Sequence, residues 1–493
     1  MGQRAATGLT TFNQFWAYVM PLFGAYVADA HLGRFKTIQV AIVIAIIGHV
    51  VLTTSAAPSV IVKPNTSIGV FAVGLIIFGI GTGFFKANIS PLLAEQTKET
   101  RMHITTTKTG ERVIVDPQIT TSRIFLYFYM CVNVGSLVGQ IAMVFAEKYV
   151  GFWLAFMLPT ALFLCAPVVL LGFRKNYRLT PPTGSVLAKF FKMFGAAMKG
   201  KWSLNFAKMK REFTWDTVRP SKIPAAQRPS WMTYDDAWVD EVRRGLNACK
   251  VFAFLPLYWL AYNQMTNNLT SQAATMELHG APNDLIQNLN PISLVIMIPF
   301  MDWVVYPALR KAHINFTPLK RMFAGFMFAA AAMVSATVMQ YYIYKLGPCG
   351  DQASSCDDAA PINVWVQTIP YVLIGLSEIF ASITSLEYAF SKAPTNMRSL
   401  VMAINLLMTA FASALGQALV SLSEDPLLVW NYTVVSILAF VGGIGFWWCF
   451  RGIDRDEDKW NMIKTTAYLG KTAGTNGISH DVDEAQVDAE RKL

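Results

Sequence analysis

Residues 38–52 read IQVAIVIAIIGHVVL, an apolar run without a charged residue, and this run decides the fold class. With its flanks it forms a predicted span, 37–57, of the length that crosses about 30 Å of hydrocarbon as a helix. Its apolar residues do not alternate with polar ones at period two, as they would in a barrel strand, and neither do those of Leu400–Ala418. Because lipid cannot satisfy backbone N–H and C=O groups, such runs must be helical.

Similar runs recur along all 493 residues, of which 54% are hydrophobic and 15% charged. Soluble domains carry about 45–50% apolar and about 25% charged residues, so the balance excludes an ordinary soluble protein. The predicted spans are roughly 9–29, 37–57, 68–90, 122–145, 152–173, 250–270, 288–309, 317–340, 362–383, 398–420 and 428–450. We therefore predict an all-α polytopic membrane protein with about 11 transmembrane helices.

Basic residues concentrate in alternate loops. These loops are residues 31–36, 98–123, 174–250, 310–321 and 392–398, together with the tail after Arg451. The only basic residues in the intervening loops are Lys63, Lys148 and Lys345. Lysine and arginine accumulate on the cytoplasmic side of membranes, so the basic loops and the C-terminus are predicted to be cytoplasmic and Met1 outside. No basic helix is interleaved with base-stacking aromatics, and the net charge of +10 therefore does not indicate nucleic-acid binding.

The long basic loop divides the chain into two groups of spans. We predict an N-terminal helical bundle at 1–173, a cytoplasmic linker at 174–249, a six-helix C-terminal bundle at 250–451 and a partly disordered cytoplasmic tail at 452–493. Aromatic residues among the lysines of the linker are typical of amphipathic helices on the inner leaflet, and a solvated linker is the alternative. Two bundles joined in this way are the layout of carriers that rock around a midplane site.

The first basic loop lies in residues 24–37, GAYVADAHLGRFKT. A carboxylate at one helix end, Asp29, a glycine turn and two cations, Arg34 and Lys36, make a compact hairpin. Asp29 is expected either to pair with a cation of a neighbouring helix and close an inner gate, or to belong to an ordinary interfacial loop. This stretch resembles the loop after the second helix in the major facilitator superfamily. In its form DAxLGRFKT it is similar to the proton-dependent oligopeptide transporter (POT) family, particularly to fungal members.

Four further segments resemble that family in the same order along the chain. They are GIGTGFFKAN (79–88), FYMCVNVGSL (128–137), Asn290-Pro291, and SEI (377–379) with LEYAFSKAP (386–394). The resemblance implies a two-bundle fold of twelve helices, the first of which, with its ExxER pattern, is expected to be missing. It also implies proton-coupled symport of di- and tripeptides across the plasma membrane, with the proton as coupling ion and no cofactor.

Two charges stand inside apolar spans. Lys86 carries an insertion cost of about 2.5–3.5 kcal/mol, so it either faces an aqueous cavity or snorkels to the inner surface. Glu378 lies about sixteen residues into its span, where it either takes up and releases a proton as substrate comes and goes or forms a structural ion pair inside the C-terminal bundle. The resemblance implies that Lys86 pairs with the peptide carboxylate and that Glu378 holds the peptide amino terminus.

Neutral polar and aromatic residues complete the predicted substrate site. Asn133 and Asn290 either hydrogen-bond between helices or bind the peptide backbone, and the resemblance assigns both to the site. Tyr18, Tyr129 and Trp259 are candidates for side-chain pockets. Glu387 and Lys392, in the 386–394 segment, are assigned with Asp29, Arg34 and Lys36 to gating or structural roles.

The chain departs from the family at Asn263-Gln264, where many bacterial relatives have an acid beside the glutamine. Two alternatives remain. One is a carrier of the same fold for nitrate or another solute, since plant members of the family carry such cargo. The other, which the expected absence of the first helix motivates, is a non-transporting fragment or sensor.

Cys349 and Cys356 flank a short loop on the predicted outer side, where an oxidising environment permits a disulfide. We find no glycine-rich ATP loop, metal cluster or nucleophilic triad in the sequence, and we do not expect an enzyme.

Overall fold

The computed structural model describes residues 3–97, 103–106, 110–115, 117–179, 186–198, 215–224, 227–229, 232–279, 283–356, 358–393 and 397–452. The predicted tail from residue 453 onward and linker residues 199–214 lie outside these ranges.

The N-terminal half is a bundle of long helices. Its helices are α1 (Gln3–Val27), α2 (Arg34–Ser55), α3 (Pro58–Ile61), α4 (Pro64–Ala94), α5 (Pro117–Tyr149) and α6 (Phe152–Gly172). A π-helical turn, Ala28–Leu32, and Gly33 with φ 74° connect α1 to α2. Since this positive φ is readily adopted only by glycine, Gly33 permits the sharp reversal that places Asp29 beside Arg34.

The linker and the C-terminal half contain the remaining helices. They are α7 (Val186–Met198), α8 (Asp236–Lys250), α9 (Leu255–Asn263), α10 (Asn268–Ala274), α11 (Leu289–Phe300), α12 (Tyr306–Lys311), α13 (Pro318–Leu346), α14 (Thr368–Glu378), α15 (Thr384–Lys392), α16 (Arg398–Ala418) and α17 (Leu428–Phe450). π-Helical turns join α11 to α12 at Met301–Val305 and α14 to α15 at Ile379–Ile383. The bundles meet where α1 packs along α16 and where α5 packs along α11.

Two small sheets lie at opposite ends of the helices. Strands β1 (His103–Thr106) and β2 (Arg112–Val115) form an antiparallel hairpin between α4 and α5. Strands β3 (Met276–Glu277) and β4 (Ala360–Asn363) pair in parallel.

The prediction of an all-α polytopic membrane protein is confirmed. Nine helical segments of the described residues are long and apolar enough to cross a bilayer: Arg34–Ser55, Pro64–Ala94, Ile119–Tyr149, Phe152–Gly172, Leu285–Lys311, Pro318–Leu346, Val364–Lys392, Leu400–Ala418 and Leu428–Phe450. They correspond to nine of the eleven predicted spans. The predicted span 9–29 is also helical, as α1, but is not among the nine.

The predicted span 250–270 differs from an uninterrupted α-helix. A 3₁₀ turn, Val251–Phe254, precedes α9, and a turn at residues 264–267 separates α9 from α10. Polar side chains at the turn bond to the backbone, since Gln264 Nε2 donates to the oxygen of Leu260 at 3.4 Å and Thr266 Oγ1 donates to the oxygen of Asn263 at 3.2 Å. Side chains that bond to nearby backbone groups in this way compete with the helical hydrogen bonds of the backbone. The segment therefore breaks where its apolar run contains Asn263, Gln264 and Asn267.

The described part of the linker is folded. Helix α8 buries Trp238, Val239 and Val242, and it continues through the 3₁₀ turn into α9. Tyr234 lies just before α8, and burial raises the pKa of its phenol to about 12. Helix α7 buries Met193 and exposes Phe191, two residues earlier.

Close helix packing positions the N-terminal residues of the site. A Cβ atom at Gly83 would lie 2.3 Å from Met20 Cβ on α1, and one at Gly81 would lie 2.6 Å from Ala45 N on α2. Helix α4 therefore fits between α1 and α2 only because these positions have no side chain, and Lys86 follows on the same helix.

Candidate substrate site and gates

The carboxyl group of Glu378 is the centre of the candidate site. Glu378 is the last residue of α14 and is 2% exposed. Its Oε1 accepts a hydrogen bond from the hydroxyl of Tyr129 on α5, and its Oε2 accepts one from Asn290 Nδ2 on α11 at 3.1 Å. Tyr262 on α9 also directs its hydroxyl to this carboxyl group. Both bundles therefore contribute hydrogen-bond donors to one carboxyl group.

These donors to Glu378 are uncharged. Among the described residues, no lysine, arginine or histidine nitrogen lies within 4.0 Å of the carboxyl oxygens. A buried carboxylate without a cation is costly, because hydrogen bonds replace only part of the lost hydration. The arrangement therefore suits a group that receives a proton or a ligand ammonium.

Lys86 supplies the opposite charge from the N-terminal bundle. Its Nζ lies 4.0 Å from the ring centroid of Tyr18 on α1. In the described part of the chain, no carboxylate lies within 4.0 Å of this nitrogen, so Lys86 and Glu378 do not form a direct ion pair. Tyr18 and Glu378 both lie near Tyr262.

The other predicted site residues occupy different positions around this centre. Trp259 packs against Tyr262 with ring centroids 5.1 Å apart. Asn133 forms no hydrogen bond to Glu378; its Nδ2 donates to the backbone oxygen of Tyr129 on its own helix at 2.9 Å. The Asn133 amide is therefore held against its own helix.

Sequence reasoning missed Tyr262. A signal was present, because Tyr262 follows Trp259 by three residues, a spacing that places both side chains on one helix face.

A buried ion pair joins two helices of the N-terminal bundle at the end where the basic loops lie. We call this end of the protein the basic end. Arg34, at the start of α2, bonds to Glu95 after α4, and its Nη2 lies 3.9 Å from Asp29 Oδ1. Arg34 is 7% exposed. Lys36 instead points to solvent, and within the described ranges no carboxylate lies within 4.0 Å of it.

The C-terminal bundle contains a matching group at the same end. Arg321 on α13 donates to both carboxyl oxygens of Glu387 on α15, at 2.9 and 3.0 Å. Ser122 on α5 donates to the same carboxylate at 3.0 Å from the other bundle. Lys392 ends α15, five residues beyond Glu387.

A second contact between the bundles is centred on Asp302. Its two oxygens accept hydrogen bonds from Arg123 Nε at 3.1 Å and from Tyr127 at 3.2 Å, both on α5. Asp29 and Asp302 are each the second residue of a π-helical turn. The signal that would have found Asp302 and Arg321 was a charge within a predicted span, 288–309 for Asp302 and 317–340 for Arg321.

The bundles also meet at the opposite end. Gln14 Nε2 on α1 donates to Asn263 Oδ1 at the end of α9 at 2.9 Å. Gln14 precedes Tyr18 by one helical turn, so this contact lies just beyond the candidate site. The contact is therefore a pair of uncharged amides.

Cys349 and Cys356 are joined in the structure, with their sulfur atoms 1.93 Å apart. The loop between them contacts the end of the bundle, where Ser354 N donates to Asp425 Oδ2 at 2.7 Å. This loop lies at the end opposite the ion pairs of Arg34 and Arg321.

Two helical bundles, a charged group from each at their interface, and contacts between the bundles at both ends define a secondary carrier of the alternating-access class. Residues 35–435 match the model of the POT family. The chain belongs to this family, which confirms the resemblance seen in its motifs and places it among transporters rather than enzymes.

Curated relatives agree with this membership. The chain is 45% identical over 470 residues to peptide transporter PTR_B of Candidozyma auris, covering 94% of this chain and 78% of the relative. It is 42% identical over 466 residues to peptide transporter PTR2 of Saccharomyces cerevisiae, covering 94% and 74%.

The fold is also that of solved POT structures. The POT family transporter PepTSo, solved in meso, matches with a TM-score of 0.66 at 20% identity, covering 93% of this chain and 90% of that one. An auto-inhibited POT family peptide transporter matches with the same TM-score at 19% identity, covering 96% and 90%.

Proposed function

We propose that this protein is a proton-coupled symporter that imports di- and tripeptides across the plasma membrane. One observation carries the proposal: among the described residues, neither the buried carboxyl group of Glu378 nor the ammonium group of Lys86 in the other bundle has a partner of opposite charge within 4.0 Å. Its membership of the POT family and its similarity to fungal peptide transporters support the same function.

A short peptide has the charges that this site lacks. Its ammonium would replace the missing cation at Glu378, and its carboxylate would pair with Lys86. Tyr18, Tyr129 and Trp259 would line the space for the peptide side chains, and Asn290 would orient the carboxyl group of Glu378. Because the two charged groups belong to different bundles, a bound peptide of suitable length would favour closure of one bundle on the other.

Proton coupling follows from the same electrostatics. When no ammonium is bound, a proton is the other species that neutralises a buried carboxylate. No cofactor is required, since the proton gradient supplies the free energy.

The contacts at the two ends then act as alternate gates. Opening toward the basic end requires separation of Ser122 from Glu387 and of Arg123 from Asp302, whereas opening toward the other end requires separation of Gln14 from Asn263. The excess of lysine and arginine makes the basic end cytoplasmic, with the C-terminus on that side. Exposed apolar residues such as Val43, Leu162 and Val168 would contact the lipid.

The test is uptake by purified protein in liposomes with an imposed pH gradient. For each proton coupled to one peptide, a gradient of 1 pH unit sustains about tenfold accumulation of labelled dialanine. Collapse of the gradient with an ionophore is expected to abolish accumulation. Gradient-driven nitrate uptake without dialanine uptake would identify the alternative carrier, and no uptake of either would identify a non-transporting protein.

The ring of Tyr18 beneath Lys86 leads to a second prediction. Tyr18→Ala removes the cation–π contact and is expected to raise the KM for dialanine about tenfold, whereas Tyr18→Phe retains the ring and changes it by less than about twofold. Tyr341→Ala is the control, because Tyr341 is exposed and its ring centroid lies 5.9 Å from Lys345 Nζ. Equal KM values for all three variants would contradict a role of Tyr18 in placing Lys86.

A further inference from the structure

Gly375 lies one helical turn before Glu378, at the contact between α14 and α11. A Cβ atom at this position would lie 2.3 Å from Ser293 Oγ, and 3.4 Å from both Ser293 Cβ and Asn290 Oδ1. The first distance is shorter than any normal contact, whereas the other two are tight but close to van der Waals separation. The missing side chain therefore permits α11 to approach α14 at the level of the candidate ammonium subsite.

Ser293 is fixed where the additional methyl group would lie. Its Oγ donates to the backbone oxygen of Asn290 at 2.7 Å. A side chain at position 375 would either rotate Ser293 away from this bond or displace α11. Either movement disturbs the helical turn that carries Asn290.

The position of Asn290 determines how the Glu378 carboxyl group is held. Asn290 Nδ2 reaches Glu378 Oε2 at 3.1 Å, which is near the upper end of a good hydrogen bond, so a small outward shift of α11 would break it. Asn290 Oδ1 is buried and accepts no hydrogen bond from the described residues. It lies on the side of the amide that faces Gly375, where an added methyl group would cover it.

We propose that Gly375 is a positioning residue for the subsite that receives the ammonium group of the peptide. Its missing side chain sets the spacing between α11 and α14 at which Asn290 orients Glu378. The inference rests on the proposed function, because the ammonium group is the ligand that this carboxyl group would bind. Alanine is the better helix former, so an unfavourable effect of Gly375→Ala would arise from packing and not from helix propensity.

The experiment is a double-mutant cycle with Ser293, in liposomes driven by a pH gradient. Gly375→Ala is expected to raise the KM for dialanine about fivefold to tenfold with kcat unchanged, a size typical of overpacking at a buried site. Ser293→Ala alone is expected to raise it about twofold. The double variant is expected to match Ser293→Ala, because removal of Oγ leaves the new methyl group only contacts near 3.4 Å.

Two controls separate positioning from general instability. Gly416→Ala adds a methyl group at 3.7 Å from Leu260 Cδ1, an ordinary contact in the same bundle, and is expected to transport normally. The second control is competition by N-acetyl-dialanine, which has no ammonium group. Gly375→Ala is expected to weaken the preference for dialanine over the acetylated peptide, which a merely structural defect would not change.

Three results would overturn the inference: an unchanged KM in Gly375→Ala, a fall in kcat and protein amount alone, or no rescue by Ser293→Ala. If Glu378→Gln lowers dialanine uptake but Gly375→Ala does not, the inference fails and the proposed function stands. If wild-type protein takes up dialanine but does not distinguish it from its acetylated form, the ammonium subsite and the inference fail; if it takes up no dialanine at all, the proposed function fails.

Discussion

Glu378→Gln is expected to lower gradient-driven uptake of dialanine more than about 100-fold. Glutamine keeps the shape of the side chain, but it has one accepting oxygen instead of two and cannot neutralise an ammonium group. Loss of one partner of a buried, hydrogen-bonded charge pair costs about 3–5 kcal/mol, which corresponds to at least two orders of magnitude in affinity. The effect is measured as the uptake of labelled dialanine per amount of transporter protein in the liposomes.

Glu424→Gln is the matched control. Glu424 is an exposed carboxylate in the loop between α16 and α17, so its replacement is expected to leave uptake unchanged. Dialanine uptake that survives Glu378→Gln would refute the ammonium subsite. Preserved nitrate uptake in that variant would point to the anion carrier, which needs a cation and no carboxylate.

Glu387→Ala is expected to destabilise the folded protein by about 3–5 kcal/mol. The variant leaves the guanidinium of Arg321 without its bidentate partner in a position where the side chains of the pair are only 11% and 9% exposed. It also removes the acceptor of Ser122, so one contact between the bundles is lost. Denaturant titration in mixed micelles, followed by tryptophan fluorescence, gives the free energy of unfolding.

The comparison variant is Asp240→Ala in α8. Asp240 pairs with Arg219 at 2.5 Å, but their side chains are 40% and 23% exposed, so water and salt screen the pair. Its loss is expected to cost about 1 kcal/mol or less. Equal destabilisation of the two variants would show that burial does not set the strength of the Arg321–Glu387 pair.

The features of this protein that its sequence alone predicts are local ones. A run such as 38–52 must be helical wherever it packs, since the bilayer itself imposes the requirement. A charge within an apolar run is equally visible, so the sequence alone indicates Lys86 and Glu378 as candidates. Family motifs added Asn290 and Tyr129, two residues that do contact Glu378.

The tertiary structure alone decided which of these groups meet. Tyr129 and Glu378 are 249 residues apart in sequence, and Ser122 and Glu387 are 265 apart, so no local pattern predicts either pair. Such contacts depend on the register between packed helices, which is set by side-chain shape and by single missing atoms, as at Gly375. The sequence by itself determined the helices and the charges that they carry. The packing of the helices decided that Lys86 Nζ lies over the ring of Tyr18 and does not pair with Glu378. A pair between residues of different bundles depends on how segments that are distant in the sequence are positioned relative to each other.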